Sequence, residues 1–193
     1  MPRAGLDPRA VVRTAAELAD RHGLDHLTLA MLAQSLGVRV PSLYNHVNGL
    51  EDLRRKLTLY GLERLKEVLT RAAMGKSGDG AVRAMAEAYL AFAREHPGVY
   101  EATQRSLDRQ DAEMAEAASQ AIEPVLRVLS ACGLEGDEAV HAVRGFRSLL
   151  HGFASIERQG GFGLEVDLDS SFRLLVDLYV KGLHSLRGRI RGS

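Results

Sequence analysis

The fold is decided by residues 28–47, which read TLAMLAQSLGVRVPSLYNHV. After Thr28, a residue type that often caps helix starts, apolar residues recur at helical spacing. They are Leu29, Leu32, Ala33 and Leu36. Gly37 tolerates the left-handed conformation at a helix end, and Pro41 suits the first turn of a new helix. The pattern therefore predicts two short helices joined by a tight turn, with the second covering only residues 42–47.

The dimensions of this pair are those of a helix-turn-helix, whose second helix lies in the major groove of DNA. A helix of this length is marginal alone, so Leu43 and Val47 are expected to pack it against the first helix. Donor-rich side chains suited to bases and phosphates would then point outward. They are Arg39, Ser42, Asn45 and His46. Tyr44 has two interpretations, as a core aromatic or as part of the outward surface.

Helical spacing continues through the rest of the chain, and the alternating pattern of strands is nearly absent. We therefore predict an all-α protein. Further helices are expected at 8–22, 51–73, 81–96, 98–107, 111–131, 136–158 and 170–187, with a glycine-rich loop at 75–80. Pro124 is expected to kink the helix that contains it.

Composition indicates an ordinary globular protein that acts in the cytoplasm. The 193 residues are 46% hydrophobic and 26% charged, and 25 basic residues balance 25 acidic ones. No apolar run reaches the roughly 18–20 residues of a membrane span, and the first eight residues contain no apolar signal segment. Zero net charge gives DNA binding no global support, but residues 1–60 hold eight basic and six acidic residues, a local charge of +2.

Residue types needed for other chemistries are missing or wrongly spaced. Cys132 is the only cysteine, so an internal disulfide is impossible and a zinc site unsupported. The histidines have no metal-ligand spacing, and no nucleophile–base pair stands out. The glycines at 160–163 lack the strand–loop–helix context of a nucleotide loop. We therefore predict neither an enzyme nor a cofactor or metal site.

The residues already quoted resemble the TetR family of bacterial transcriptional regulators. The resemblance rests on Thr28–Ala33, Leu36–Val38 and above all Ser42–Val47, and it covers about residues 8–60. It implies a DNA-binding domain at 1–49 and a helical effector-binding and dimerisation domain at 50–193. It also implies a homodimer on a palindromic operator, released by a small, largely apolar effector through a shift of helix 51–73.

The resemblance assigns roles residue by residue. Thr28, Tyr44 and His46 would hold the DNA backbone, whereas the residues facing base edges would be Arg39, Pro41, Ser42 and Asn45. Leu50 stands where the family usually has a phosphate-contacting lysine. Arg54, Arg55 or Lys56 could replace that charge, although such a run more often forms a solvated helix face.

The two last helices are candidates for the dimer interface, since both carry much apolar surface. The predicted set is Gly145, Leu149, Gly152, Ile156, Phe172, Val176, Tyr179 and Leu183. Their packing inside one chain is the alternative. Leu150-His151-Gly152 also resembles a subgroup marked by Trp-His-Gly, with Leu150 in place of the tryptophan.

An effector cavity beside Pro124 is the last sequence prediction. The candidate lining residues are Tyr89, Phe92, Met114, Phe146, Arg147, Leu150 and His151, for each of which core or interface packing is the alternative. A regulator that is independent of ligand or activates transcription is a second hypothesis. An all-α adaptor with no DNA role is a third, from a different class.

Overall fold

The computed structural model describes residues 6–105 and 110–190, with backbone only at 187–190. Within these ranges the chain forms nine α-helices, one short 3-10 helix at Leu24–His26 and no strand, which confirms the all-α prediction. The helices are α1 Pro8–His22, α2 Leu29–Ser35, α3 Val40–Leu43, α4 Leu50–Ala73, α5 Gly78–Glu95, α6 Pro97–Gln104, α7 Ala112–Ala131, α8 Gly136–Arg158 and α9 Leu168–Ile190. None of the helices in the described ranges is long and apolar enough to cross a membrane.

Several helix ends differ from the sequence prediction, and local bonds explain them. The α3 helix is shorter and earlier than 42–47, because beyond Leu43 the chain continues as a turn in which the N–H groups of His46 and Val47 both donate to the Leu43 carbonyl. The α9 helix begins before residue 170, since the Asp167 carboxylate accepts the Ser170 N–H at 2.7 Å. Likewise α5 starts at Gly78, so the predicted loop at 75–80 is shorter.

The remaining differences are small or untested. The α6 helix ends at Gln104, and residues 106 and 107 of the predicted helix lie outside the described ranges. The α7 helix runs through Pro124 from Ala112 to Ala131, as expected from the apolar spacing. The kink at Pro124 stays a prediction.

The described chain packs as two compact units, formed by residues 1–64 with 95–118 and by residues 65–94 with 119–193. In the first, α1 packs against α2 and α6, and α2 packs against α3. Its fully buried side chains include Val11, Leu24, Leu27, Leu32, Leu43, Leu53 and Leu57. In the second, α8 packs against α9. These units are defined by packing, whereas the predicted boundary after residue 49 separates functions and stays a prediction.

Candidate nucleic-acid interface

The start of α2 is capped by the threonine that the sequence singled out. The backbone N–H of Met31 donates to Thr28 Oγ1 at 3.2 Å, which satisfies one of the free amides at the helix end. The Thr28 side chain is exposed, and its hydroxyl hydrogen is still available to donate. This helix start can therefore face an anionic group, such as a DNA phosphate.

A tight turn at Gly37 sets the direction of the next helix. Gly37 has φ of +66°, in the left-handed region that glycine adopts without steric cost. The N–H of Gly37 donates to the Gln34 carbonyl and that of Val38 to the Ala33 carbonyl at 3.0 Å, closing the end of α2. The turn thus brings α3 back against α2.

Burial of two apolar residues holds α3 in place, as the sequence predicted. Leu43 and Val47 are buried, as are Leu32 and Ala33 on α2. The four side chains belong to one core in the first unit, and this packing stabilises a helix too short to persist alone. The position of α3 therefore depends on tertiary packing.

The predicted outward side chains do lie outward. Arg39, Pro41, Ser42, Tyr44 and Asn45 are exposed, and His46 is partly exposed. Tyr44 leaves 57% of its surface in solvent, which argues against the core interpretation. Among the described residues, no hydrogen bond or ion pair uses the side chains of Arg39, Ser42 or Asn45. The donors suited to base edges are therefore available to a ligand.

The three cations that follow Leu50, at residues 54–56, are already paired with carboxylates and so are less available to a ligand. Arg54 contacts Glu51 at 2.7 Å, Lys56 contacts Asp52 at 2.6 Å, and Arg55 contacts Asp111 at 2.5 Å. These pairs speak against the idea that one of the three replaces the phosphate-contacting lysine.

Arg55 links α4 to the start of α7. Its guanidinium donates to both Asp111 oxygens, at 2.5 and 2.9 Å, and to Glu113 at 2.6 Å. Asp111 also accepts the Met114 N–H at 3.1 Å and so caps α7. The bond from Arg55 lowers the pKa of the Asp111 carboxyl from 3.8 to about 2. The pair therefore fixes α4 against α7 throughout the neutral range.

Acid is expected to break the Arg55–Asp111 ion pair. The lowered pKa of Asp111 determines the pH range in which the stability that the pair contributes is lost. Because Asp111 titrates lower in the folded chain, its contribution is complete above about pH 4, the unfolded pKa, and disappears as the pH falls toward 2. Asp111→Asn should lower the melting temperature at pH 7 and flatten its fall between pH 4 and pH 2. Thermal unfolding of both proteins across that interval measures this, with Asp137→Asn as a carboxylate control. Parallel curves for wild type and Asp111→Asn would refute the assignment.

The predicted effector residues fall into different environments. Tyr89, Phe92, Phe146 and Leu150 are buried in the second unit, and the rings of Phe146 and Tyr179 lie 5.4 Å apart. Met114 is buried in the first unit. Arg147 is exposed and His151 partly buried, and this burial, with the positive charges of Arg147 and Arg158, lowers the pKa of His151.

An open cavity of about 160 Å³ in the second unit has other walls. It is lined by Arg83, Glu87, Phe172, Arg173, Val176 and Asp177, none of which was predicted to bind an effector. The Arg83 guanidinium donates to Asp177 at 2.8 Å across it. The predicted effector set stays a prediction. No group of three His, Cys, Asp or Glu in the described part of the chain is arranged to hold a metal ion.

The predicted dimer residues divide between surface and core. On α8, the face of Gly145, Leu149, Gly152 and Ile156 is exposed or partly exposed, as an interface requires. On α9 the predicted residues are mostly covered by the chain itself, and the interface stays a prediction. Phe172, Val176 and Leu183 are buried within the chain, and the partly buried Tyr179 donates its hydroxyl to the Ala142 carbonyl at 2.7 Å.

The other face of α9 is the exposed one. Leu174 and Leu178 leave 60% and 56% of their surfaces in solvent, and Leu186 is also exposed. Gly182 lies between them on the same helix face. A large apolar stripe on the surface commonly marks an interaction site. Sequence reasoning missed this stripe because α9 is apolar on both sides.

Comparison with known proteins places these features in context. Residues 82–179 match the family model described as tetracyclin repressor-like, C-terminal domain. The HTH-type transcriptional regulator YobS of Bacillus subtilis is 37% identical over 183 residues, covering 94% of this chain and 95% of that protein. A second HTH-type transcriptional regulator, Rv0681 of Mycobacterium tuberculosis, is 41% identical over 174 residues, covering 90% and 79%.

Solved structures share the fold. A TetR variant from Acinetobacter baumannii AYE in complex with minocycline has a TM-score of 0.70 and 24% identity, covering 94% of this chain and 98% of that one. The similarity of fold therefore spans α2 and α3 as well as the second unit.

Proposed function

The chain belongs to the TetR family of helix-turn-helix transcriptional regulators, and from that premise we propose that it is a repressor that binds a palindromic operator as a homodimer and is released by a small-molecule effector. The observation that carries the proposal is the buried anchoring of α3, which leaves its polar residues exposed. The family assignment removes the adaptor hypothesis and agrees with a protein that is not an enzyme. Operator binding would place the protein in the bacterial cytoplasm.

The exposed residues divide into reading and holding roles. Arg39 precedes α3, where its guanidinium fork could donate to guanine O6 and N7, with Pro41, Ser42 and Asn45 on the adjoining base edges. Thr28, Tyr44 and His46 would bind phosphates and orient the helix in the groove. Phosphate contacts give no sequence information directly, so specificity would depend on the first group.

The homodimer is supported by the exposed apolar residues of α8 and α9. In a twofold interface the same patch meets itself, and Gly145 and Gly152 would allow two α8 helices to approach closely. Leu174 and Leu178 would replace the α9 residues that proved to be core. Two reading helices about one DNA turn apart would then match a palindrome.

Release by an effector is supported by the family and by the aromatic content of the second unit. A fold neighbour was crystallised with minocycline, a small molecule. In this chain the buried residues Tyr89, Phe92, Phe146 and Leu150 would supply the apolar surface that a ligand of that kind needs. An effector that binds the two states differently would lower operator affinity by a coupling free energy of about 1–3 kcal/mol. The second hypothesis, an activator or a ligand-independent regulator, would lack this release.

Binding to the protein's own upstream region tests the proposal. A labelled duplex from that region should be retained at nanomolar protein, and a scrambled duplex should need far more. A compound from a small-molecule panel that releases the duplex and raises the melting temperature would identify the effector. Equal affinity for both duplexes would contradict operator recognition.

Base reading and backbone holding can be separated by two variants. Arg39→Ala should weaken operator binding about 5- to 150-fold more than scrambled-duplex binding, since a lost base contact costs about 1–3 kcal/mol of discrimination. Tyr44→Phe should weaken both duplexes by similar factors with little change in salt dependence, because no charge is removed. Fluorescence anisotropy at several salt concentrations measures both.

The control for lost charge is Arg127→Ala, an exposed arginine of the second unit that pairs with Glu123. It should leave both affinities nearly unchanged. If Arg39→Ala weakens both duplexes equally and reduces the salt slope by about one charge, Arg39 holds a phosphate. Base reading would then pass to Ser42 and Asn45.

A further inference from the structure

The start of α6 is capped by a residue of another helix. His96, which precedes α6, makes no side-chain cap to it. Instead, the carboxylate of Asp20 near the end of α1 accepts the N–H groups of Gly98 and Val99, both at 2.9 Å to Oδ1. Its second oxygen lies 3.0 Å from His96 Nδ1. One side chain of α1 thus satisfies two of the free amides at the start of α6.

Backbone contact accompanies this cap. A Cβ added at Gly98 would lie 2.2 Å from the carbonyl carbon and oxygen of Ala19 and 2.6 Å from the Asp20 nitrogen. Only glycine allows the two helices to approach so closely, and no flexible side chain lies between them. The α1 and α6 helices therefore meet through their main chains, a contact with little freedom to slide.

The α6 helix is also held by α4. The Thr58 hydroxyl is within hydrogen-bond distance of the Ala102 carbonyl, at 3.2 Å, and of the Arg54 carbonyl, at 3.0 Å. Gly61 of α4 faces Val99 and Thr103, whose side chains leave no space for a Cβ. The α6 helix is thus fixed to the two helices that flank α2 and α3 in sequence, and it belongs with them to the first unit.

We propose that Asp20 is the positioning residue that joins α6 to the DNA-binding helices α1, α2 and α3. A movement of α6 then turns α1, and α2 and α3 with it. The inference rests on the proposed function and adds a route to it. The family resemblance implied a shift of helix 51–73 on effector binding. Here α1 receives it as well, through two N–H bonds to one carboxylate. Loss of the cap uncouples α1 from α6 and leaves the reading helices loosely oriented, so operator affinity falls although the fold persists.

The test compares variants of Asp20 in the full-length protein. Asp20→Ala removes the cap and should weaken binding to the upstream duplex at least tenfold. Asp20→Asn keeps an oxygen that can accept both N–H bonds, so it should remain within threefold of wild type. Asp20→Glu keeps the charge but lengthens the side chain, so it should fold and bind the duplex several-fold more weakly than wild type. If Asp20→Ala does not fold, the comparison is made with Asp20→Glu instead. Glu17→Ala, an exposed residue of α1 paired with Arg21, is the control and should bind within twofold of wild type.

A second measurement distinguishes positioning from general stability. Spin labels at Gln34→Cys, in a Cys132→Ser background, report the distance between the two α2 helices of a dimer. The distance distribution should broaden in Asp20→Ala and stay narrow in Asp20→Asn and Glu17→Ala. A variant that melts earlier yet keeps the narrow distribution and full operator affinity would show that Asp20 only stabilises the fold. Equal losses in Asp20→Asn and Asp20→Ala would also overturn the proposal, whereas a wild type that does not bind the duplex would overturn the proposed function instead.

Discussion

Substitution of Gly152 by arginine is expected to convert the protein into monomers that bind the operator at least about 100-fold more weakly. The loss is large because a dimer binds its second half-site intramolecularly, an advantage of roughly 10²- to 10⁴-fold that a monomer lacks. Gly152 lies on the partly exposed α8 face, where a bulky cation would hold two copies apart. Sedimentation velocity gives the mass, and anisotropy with the upstream duplex gives the affinity.

The folded monomer should tolerate this substitution. A Cβ at Gly152 would meet no other atom within 4 Å, so the arginine side chain can extend into solvent. Gly80→Arg is the matched control, since Gly80 is also a helical glycine with nothing within 4 Å of an added Cβ, and it is exposed. It should remain dimeric and bind normally. A dimeric Gly152→Arg, or a monomeric wild type that binds the palindrome tightly, would exclude this interface.

The helices and the reading motif could be predicted because their determinants are local. Thr28, Gly37 and Pro41 act on their immediate neighbours, and apolar spacing identifies which side of a short helix is buried when the other side is polar. The anchoring of α3 through Leu43 and Val47 follows from that contrast. On α9 both sides are apolar, so the periodicity defined two apolar faces but could not indicate which of them is buried within the chain.

Contacts between distant residues could not be predicted. Arg55 and Asp111 are separated by 56 positions, and Asp20 and Gly98 by 78. A single sequence gives no information on such pairings, because a charged residue on a helix is compatible with solvent, an ion pair or DNA. The run at Arg54–Lys56 illustrates this, since all three cations have carboxylate partners inside the chain.

Gly98→Ala is expected to destabilise the protein more than the same substitution at Gly61, the other helical glycine in the described part of the first unit. The added carbon would overlap the Ala19 backbone at 2.2 Å, whereas at Gly61 the nearest atom, at 2.7 Å, belongs to the Thr103 side chain. Forcing extra volume into a packed core costs about 1–3 kcal/mol. For a chain of this size, that lowers the melting temperature by roughly 2–12 °C.

The matched control, Gly80→Ala, should have the opposite sign. Gly80 lies in α5 with nothing within 4 Å, and replacing a helical glycine by alanine stabilises by about 0.5–1 kcal/mol. The same helix preference acts at Gly98, so the difference between the two variants isolates the cost of pushing α6 from α1. Urea unfolding of both gives that difference directly. Similar stabilities for Gly98→Ala and Gly80→Ala would mean that the two helices separate without cost, which would contradict the close main-chain contact between α6 and α1.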